Sequence, residues 1–119
     1  MNRISKSQQL KEEHFPVKAF FNAISDSYFI EVIESMSQGI GYGINDADCT
    51  FPGDLDPGEE IFEGVEFSLL DEEVIVDYST FFYYLKIACD SYISDFPQYK
   101  GKIESFLKVI AQKYNVEEV

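Results

Sequence analysis

The sequence predicts an α+β fold in which helices flank a small, mostly antiparallel sheet. Three observations carry that expectation. Residues 29–36 and 79–96 repeat apolar side chains at helical spacing. Val65-Glu66-Phe67-Ser68-Leu69 and Glu73-Val74-Ile75-Val76 alternate as half-buried strands do. The elements run helix, helix, strand, acidic loop, hairpin, helix, helix, which is the order of an α+β domain with a small sheet. The length, 119 residues, predicts a single domain over 1–119. A chain of this size buries roughly two-thirds of its unfolded surface, enough for a core without metals or disulfides.

Each element has its own signal. Residues 1–14 are polar and are expected to be loosely ordered. Pro16 suits the first turn of a helix that places Phe20, Phe21 and Ile24 on one face. Ser25 and Asp26 interrupt it and offer a cap for a second helix. That helix buries Phe29, Val32, Ile33 and Met36, spaced i, i+3, i+4 and i+7, and Gly39 stops it. Gly39-Ile40-Gly41-Tyr42-Gly43-Ile44 alternates glycine with bulk, which suggests a third strand at about 40–45. It is no phosphate cradle: a helix precedes it and Asp46 and Asp48 follow, where a cradle needs a strand before, a helix after and no local negative charge. Asn45 to Gly64, with Pro52, Gly53, Pro57, Gly58 and seven acids, reads as a long irregular loop. The hairpin occupies about 64–77, with Asp71 and Glu72 at its turn. The helix from about Ser79 to Phe96 carries Phe81, Phe82, Leu85, Ala88, Cys89, Tyr92, Ile93 and Phe96 as one stripe. Asp77 or Ser79 can cap it and Pro97 stops it. A last helix puts Ile103, Phe106, Leu107 and Ile110 on one face.

Charge is distributed unevenly over this framework. From Ala19 to Leu85 there are fifteen acidic residues and no Lys or Arg, and twelve of the acids lie between Gly41 and Asp77. The first eighteen residues sum to +2 and residues 86–119 to zero, so this one block accounts for the whole net charge of −13. The 45% hydrophobic content, with eleven Phe and eight Tyr, mounts that charge on a folded body instead of a disordered tail. Such a field serves solubility, a cation or a basic partner.

Several chemistries fit poorly. The only histidine, His14, lies in the polar N-terminal arm, so no Ser-His-Asp or Cys-His set assembles. Paired carboxylates without a Trp-lined sugar site give little support to glycoside chemistry. Asp46-x-Asp48 and Asp54-x-Asp56-x-Gly58-Glu59-Glu60 resemble calcium loops only superficially, since neither has the ligand spacing and Pro57 stiffens the backbone where the loop must curl. No metal and no cofactor are expected. Nucleic acid is disfavoured, because the five lysines from Lys86 onward are matched by five acids. Cys89 lies on an apolar helix stripe and reads as a small buried hydrophobe. Cys49 falls in the acidic loop, where carboxylates would blunt its reactivity. Residues 1–15 lack the apolar core of a secretory signal, and no apolar run is long enough to span a bilayer. A polyanion is repelled by anionic lipid. The expected compartment is the cytoplasm, with no membrane partner.

A basic protein partner remains. A polyanionic surface can occupy a nucleic-acid enzyme's cationic groove by matching its charge, and complementary fields speed encounter. Apolar anchors are needed as well, for which Tyr42, Phe51, Phe62, Tyr83 and Tyr84 are candidates. Whole-chain features also resemble a known family. Phe20-Phe21-Asn22-x-Ile24-Ser25-Asp26, Gly39-Ile40-Gly41-Tyr42-Gly43-Ile44, Asp48-Cys49-Thr50-Phe51-Pro52, Phe62-Glu63-Gly64-Val65-x-Phe67-Ser68, Glu72-Glu73-Val74-Ile75-Val76-Asp77-Tyr78 and Phe81-Phe82-x-Tyr84-Leu85-x-x-Ala88-Cys89 resemble the CdiI family of ribonuclease-toxin immunity proteins, over roughly Phe15 to Ile110.

The resemblance implies a non-enzymatic antidote of contact-dependent growth inhibition. It would bind the C-terminal toxin domain of a cognate CdiA effector as a 1:1 heterocomplex in the producer's cytoplasm. The implied toxin is a ribonuclease, with EndoU-type cleavage of tRNA as the suggested activity. The resemblance carries over no interface residues. The charge argument instead selects Asp46, Asp48, Asp54, Asp56, Glu59, Glu60, Glu63 and Glu66, with Tyr83 and Tyr84 as the alternative surface. Two other readings stand beside this one. An acidic DNA mimic that inhibits a DNA-binding protein would space its charges like phosphates. An enzyme or calcium-binding module would need a pocket of perturbed carboxylates or a metal.

Overall fold

A computed structural model describes residues 3–54, 57–58 and 62–116. The helices are α1 (Phe15–Ala23), α2 (Phe29–Ser37), α3 (Tyr78–Asp95) and α4 (Lys100–Lys113). The strands are β1 (Tyr42–Ile44), β2 (Ala47–Thr50), β3 (Val65–Leu69) and β4 (Glu72–Val76). Helices flanking a small antiparallel sheet are the α+β arrangement expected.

The helix ends follow local chemistry. α1 starts with Pro16 in its first turn, where a missing N–H is harmless. α2 ends in a Schellman closure: Gly39, at φ 73°, donates to the Met36 carbonyl, and Ile40 donates to that of Ser35. α3 is capped by Asp77, whose carboxylate accepts the Thr80 N–H at 2.7 Å. That bond holds the Asp77 carboxyl below the usual range. The cap expected of Ser25 or Asp26 does not form. Tyr28 occupies the N-cap of α2 without a side-chain bond, because Asp26 is engaged elsewhere.

The sheet has four strands in the order β1-β2-β3-β4, all antiparallel. Here the expected loop over 45–64 is corrected. Asn45 and Asp46 form a two-residue hairpin loop and Ala47–Thr50 is a full strand. Its alternation, Ala47 and Cys49 inward with Asp48 outward, is hidden in the sequence by the acids and turn-formers around it. The second hairpin turns through Leu70 and Asp71, between the paired Leu69 and Glu72. Asn45 and Leu70, first in their two-residue loops, take positive φ (52° and 54°). The Leu70 N–H donates to the Asp46 carbonyl at 3.1 Å, which joins the two hairpin tips.

Register sorts the side chains by face. Inward rows contain Tyr42, Cys49, Phe67 and Val74, and Val65 with Val76. α1 packs against β2, β3 and β4 from that side, and Phe20, Phe21, Phe67 and Phe81 meet with centroids 5.6–6.1 Å apart. Such aromatic contacts add to the free energy of burial. Gly64, at φ 123°, lets β3 start against the end of β4: a Cβ there would lie 2.3 Å from the Val76 carbonyl oxygen. Cys49 is not a thiol of an acidic loop but an inward-facing, buried side chain of β2. Cys89 is fully buried, as expected, and burial pushes its thiol far above the ordinary value.

The N-terminal stretch, expected to be loosely ordered, packs from Arg3 onward. Arg3 is 4% exposed and Ile4 fully buried. The Arg3 guanidinium bonds Asp26 at 2.5 Å, Asp95 at 2.6 Å and Ser91 at 3.2 Å, and lies 5.2 Å from the Tyr92 ring centroid. Burial opposes its charge, but the bonds to Asp95 and Asp26 outweigh that and raise its pKa. Asn22 receives Ile4 N–H and donates to Ile4 C=O, closing a two-bond clasp. Polar composition misled because these residues find hydrogen-bond partners far away in sequence.

Candidate partner-binding face

The helices pack on one face of the sheet, and the other face is open among the described residues. Two cross-strand rows make that open face. Gly43, Asp48, Ser68 and Glu73 form one row, and Thr50, Glu66 and Ile75 the next. Gly43, Asp48, Glu73 and Ile75 are exposed, and Thr50, Glu66 and Ser68 are half-buried. The face therefore presents three carboxylates, two hydroxyls and one branched apolar side chain, without a lysine or arginine. Ile75 is half exposed, an apolar group within an acidic surface.

Backbone geometry places the acids. Adjacent strands lie about 4.8 Å apart, so Asp48 and Glu73, two strands apart in one row, stand about 10 Å apart. At that spacing in water, two unit charges repel by about 0.4 kcal/mol, too little to oppose the pairing of strands. Their fields add outward, where a cationic surface would meet them. Asp48 is accommodated by its neighbour: its Oδ1 lies 2.7 Å from where a Cβ of Gly43 would stand. Glycine at 43 thus leaves room for the Asp48 carboxylate to lie across β1.

The two joined hairpin tips extend this surface at one end. Asp46 and Asp71 are exposed there, and between them Leu70 is 74% exposed. An apolar side chain ringed by acids is the composition of an interface anchor.

The selected acids do not all converge. Asp48 and Glu66 share the open face, and Asp46 sits at the tip beside it. Glu63 is exposed just before β3, next to the Gly64 position that abuts the end of β4. Asp56, Glu59 and Glu60 lie outside the described residues, and of Asp54 only the backbone is described. Glu73, Ile75 and Asp71 were passed over, although the alternation of β4 already turns Glu73 and Ile75 outward.

Tyr84 is corrected outright as a surface candidate. It is fully buried, and its hydroxyl accepts Leu10 N–H at 2.8 Å and meets His14 Nδ1 at 2.8 Å. The hydroxyl thus bridges the Leu10 amide and the His14 ring. Burial lowers the His14 pKa and raises that of Tyr84. Tyr83 is partly exposed but donates to the Gln8 carbonyl at 3.0 Å, on the helical side of the molecule. The aromatic Phe51, also a candidate anchor, is buried against Phe81 and Tyr114. Tyr42 is half-buried at the sheet edge and donates to Glu31 Oε2 at 2.5 Å. That bond to the carboxylate raises its pKa.

Among the described residues no group of three or more His, Cys, Asp or Glu is arranged to hold a metal ion. Among them, too, no helix is long and apolar enough to cross a membrane. An open, cation-free sheet face with a protruding acidic tip is suited to binding, through charge and a few apolar contacts. Compared with known proteins, the chain matches a family model described as CDI immunity protein over residues 12–107. No curated protein matches it.

Proposed function

We propose that this chain, which belongs to the CDI immunity protein family, neutralises a cognate CdiA C-terminal ribonuclease toxin by laying the acidic open face of its sheet on the toxin's basic RNA-binding surface. The family makes it a non-enzymatic binding protein. The observation that carries the finer reading is the grouping of Asp48, Glu66 and Glu73 on one face of the sheet, with no lysine or arginine among the described residues of that face. An enzyme that grips RNA needs a cationic surface for the phosphates. Carboxylates at that surface pair with the same lysines and arginines and exclude the substrate. Ile75 and Leu70 supply apolar contact within the charged area. Asp46 and Asp71 at the tip extend the field. The complex is 1:1 and forms in the cytoplasm of the producing cell, where the toxin would otherwise meet its RNA.

The test is to purify the chain with the C-terminal toxin domain of its cognate CdiA protein. RNA cleavage is then measured against immunity-protein concentration. Stoichiometric inhibition by the native chain is expected. Neutralising Asp48, Glu66 and Glu73 together should weaken it, because close charge pairs across such interfaces couple by about 1.5–7 kcal/mol. Inhibition that survives this triple change would place the contact elsewhere.

A further inference from the structure

We propose that the groove between the α1–α2 connection and the β1 edge receives an arginine side chain of the toxin. The inference rests on the toxin-binding reading above and names an anchor for it. Ala23, Ser25 and Tyr28 form one wall of the groove, and Tyr42, Gly43 and Ile44 the other, with a volume of about 310 Å³. That is at the small end for a drug-sized ligand and ample for one long side chain.

Its chemistry selects a flat cation. Tyr28, 57% exposed, presents a largely uncovered ring. Tyr42, across the groove, is held by its bond to Glu31, so its ring is pre-oriented. An Arg guanidinium packs on tyrosine faces, and more strongly when water is excluded. Two carboxylates stand just beyond the lining. Glu31 is fixed by the Tyr42 hydroxyl, and Asp48 reaches across Gly43 from the open sheet face. Gly43 lines both this groove and the hollow on the open face formed with Asp48, Thr50 and Ser68, so the two surfaces are continuous. A toxin that covers the acidic face can therefore send one side chain over the sheet edge. The sequence from Ala19 to Leu85 contributes no cation of its own to these walls. Arginine fits better than an apolar segment, because it can stack on the tyrosine rings and still direct its N–H groups to the nearby Glu31 and Asp48 carboxylates.

Double-mutant cycles with the toxin domain of the cognate CdiA protein test this. Tyr28→Ala is made in the immunity protein and each surface arginine of the toxin is changed to alanine in turn. Phe15→Ala, at another exposed aromatic, is the control, and melting curves verify folding. Tyr28→Ala is expected to raise Kd at least tenfold, and one toxin arginine should couple to it by fivefold or more but not to Phe15→Ala. A Kd within twofold of native, or a loss of affinity that couples to no arginine, would overturn the groove inference. If the Asp48, Glu66 and Glu73 changes still weaken binding in that case, the sheet-face reading survives alone. If the native chain does not bind the toxin domain, both fall.

Discussion

Replacing Tyr84 by Phe removes one oxygen atom from the centre of the contact between α3 and the N-terminal segment. That hydroxyl serves two partners, Leu10 N–H and His14 Nδ1, each at 2.8 Å. A buried group left unpaired costs about 1–3 kcal/mol. The Leu10 amide lies near the surface and can recover water, so its share falls at the low end. His14, 7% exposed, cannot, so its share falls higher. With about 1 kcal/mol for the amide and about 2 for the imidazole, the sum is about 3 kcal/mol. Unfolding entropy of about 2.1 cal/mol/K per residue gives a chain of 119 residues about 250 cal/mol/K, so Tm should fall by about 12 °C. Circular dichroism melts of the two proteins read this directly. Toxin affinity at 25 °C should stay within twofold of native, since Tyr84 reaches no surface. An unchanged Tm would refute the buried network. An unchanged Tm with lost toxin binding would return Tyr84 to the interface.

Three further outcomes follow from the same packing. Arg3→Ala should destabilise by about 2–3 kcal/mol in urea titration, less than the 3–5 kcal/mol typical of a broken buried pair, because Asp26 and Asp95 are exposed enough to rehydrate. Gly64→Ala combines a positive φ with a 2.3 Å approach to the Val76 carbonyl and should cost at least about 3 kcal/mol, read as a collapse of soluble expression or of Tm. His14 gives a pH dependence. Burial depresses its folded pKa below the ordinary histidine value of about 6.5, so the unfolded chain takes up the proton first as pH falls. Stability from this group is complete above about pH 6.5 and is lost as pH falls through the folded value. His14→Gln should flatten that part of a plot of urea midpoint against pH.

The helices were legible because their stripes are long and bounded by strong signals. Gly39 and Pro97 stop α2 and α3 where the sequence places those ends, and Asp77 caps α3. The hairpin of β3 and β4 was equally plain, since Val65, Phe67, Val74 and Val76 alternate with polar residues. β2 was not, because Ala47 and Cys49 are small and the residues around them are acids, Pro and Gly. Missing that strand hid the row that joins Asp48 to Ser68 and Glu73, and with it the open face as one surface. Arg3 and His14 were misplaced for a different reason. A polar side chain is buried when distant partners satisfy it, and Asp26, Asp95 and Tyr84 lie far away in sequence. Tyr83 and Tyr84 illustrate the limit of a helical wheel: adjacent positions, one partly exposed and one sealed by the N-terminal segment.

The most direct measurement is stopped-flow association of the toxin domain with the native chain and with the Asp48→Asn, Glu66→Gln, Glu73→Gln variant, at low salt and at 1 M salt. The Debye length is about 10 Å at 0.1 M and about 3 Å at 1 M, so steering by an exposed acidic face is lost at the higher value. The account predicts a native on-rate that falls steeply with salt, and a variant that associates at least tenfold more slowly at low salt with a flatter salt dependence. Equal on-rates and equal salt slopes for the two proteins, with melting curves unchanged, would contradict a toxin-binding role for the open face of the sheet.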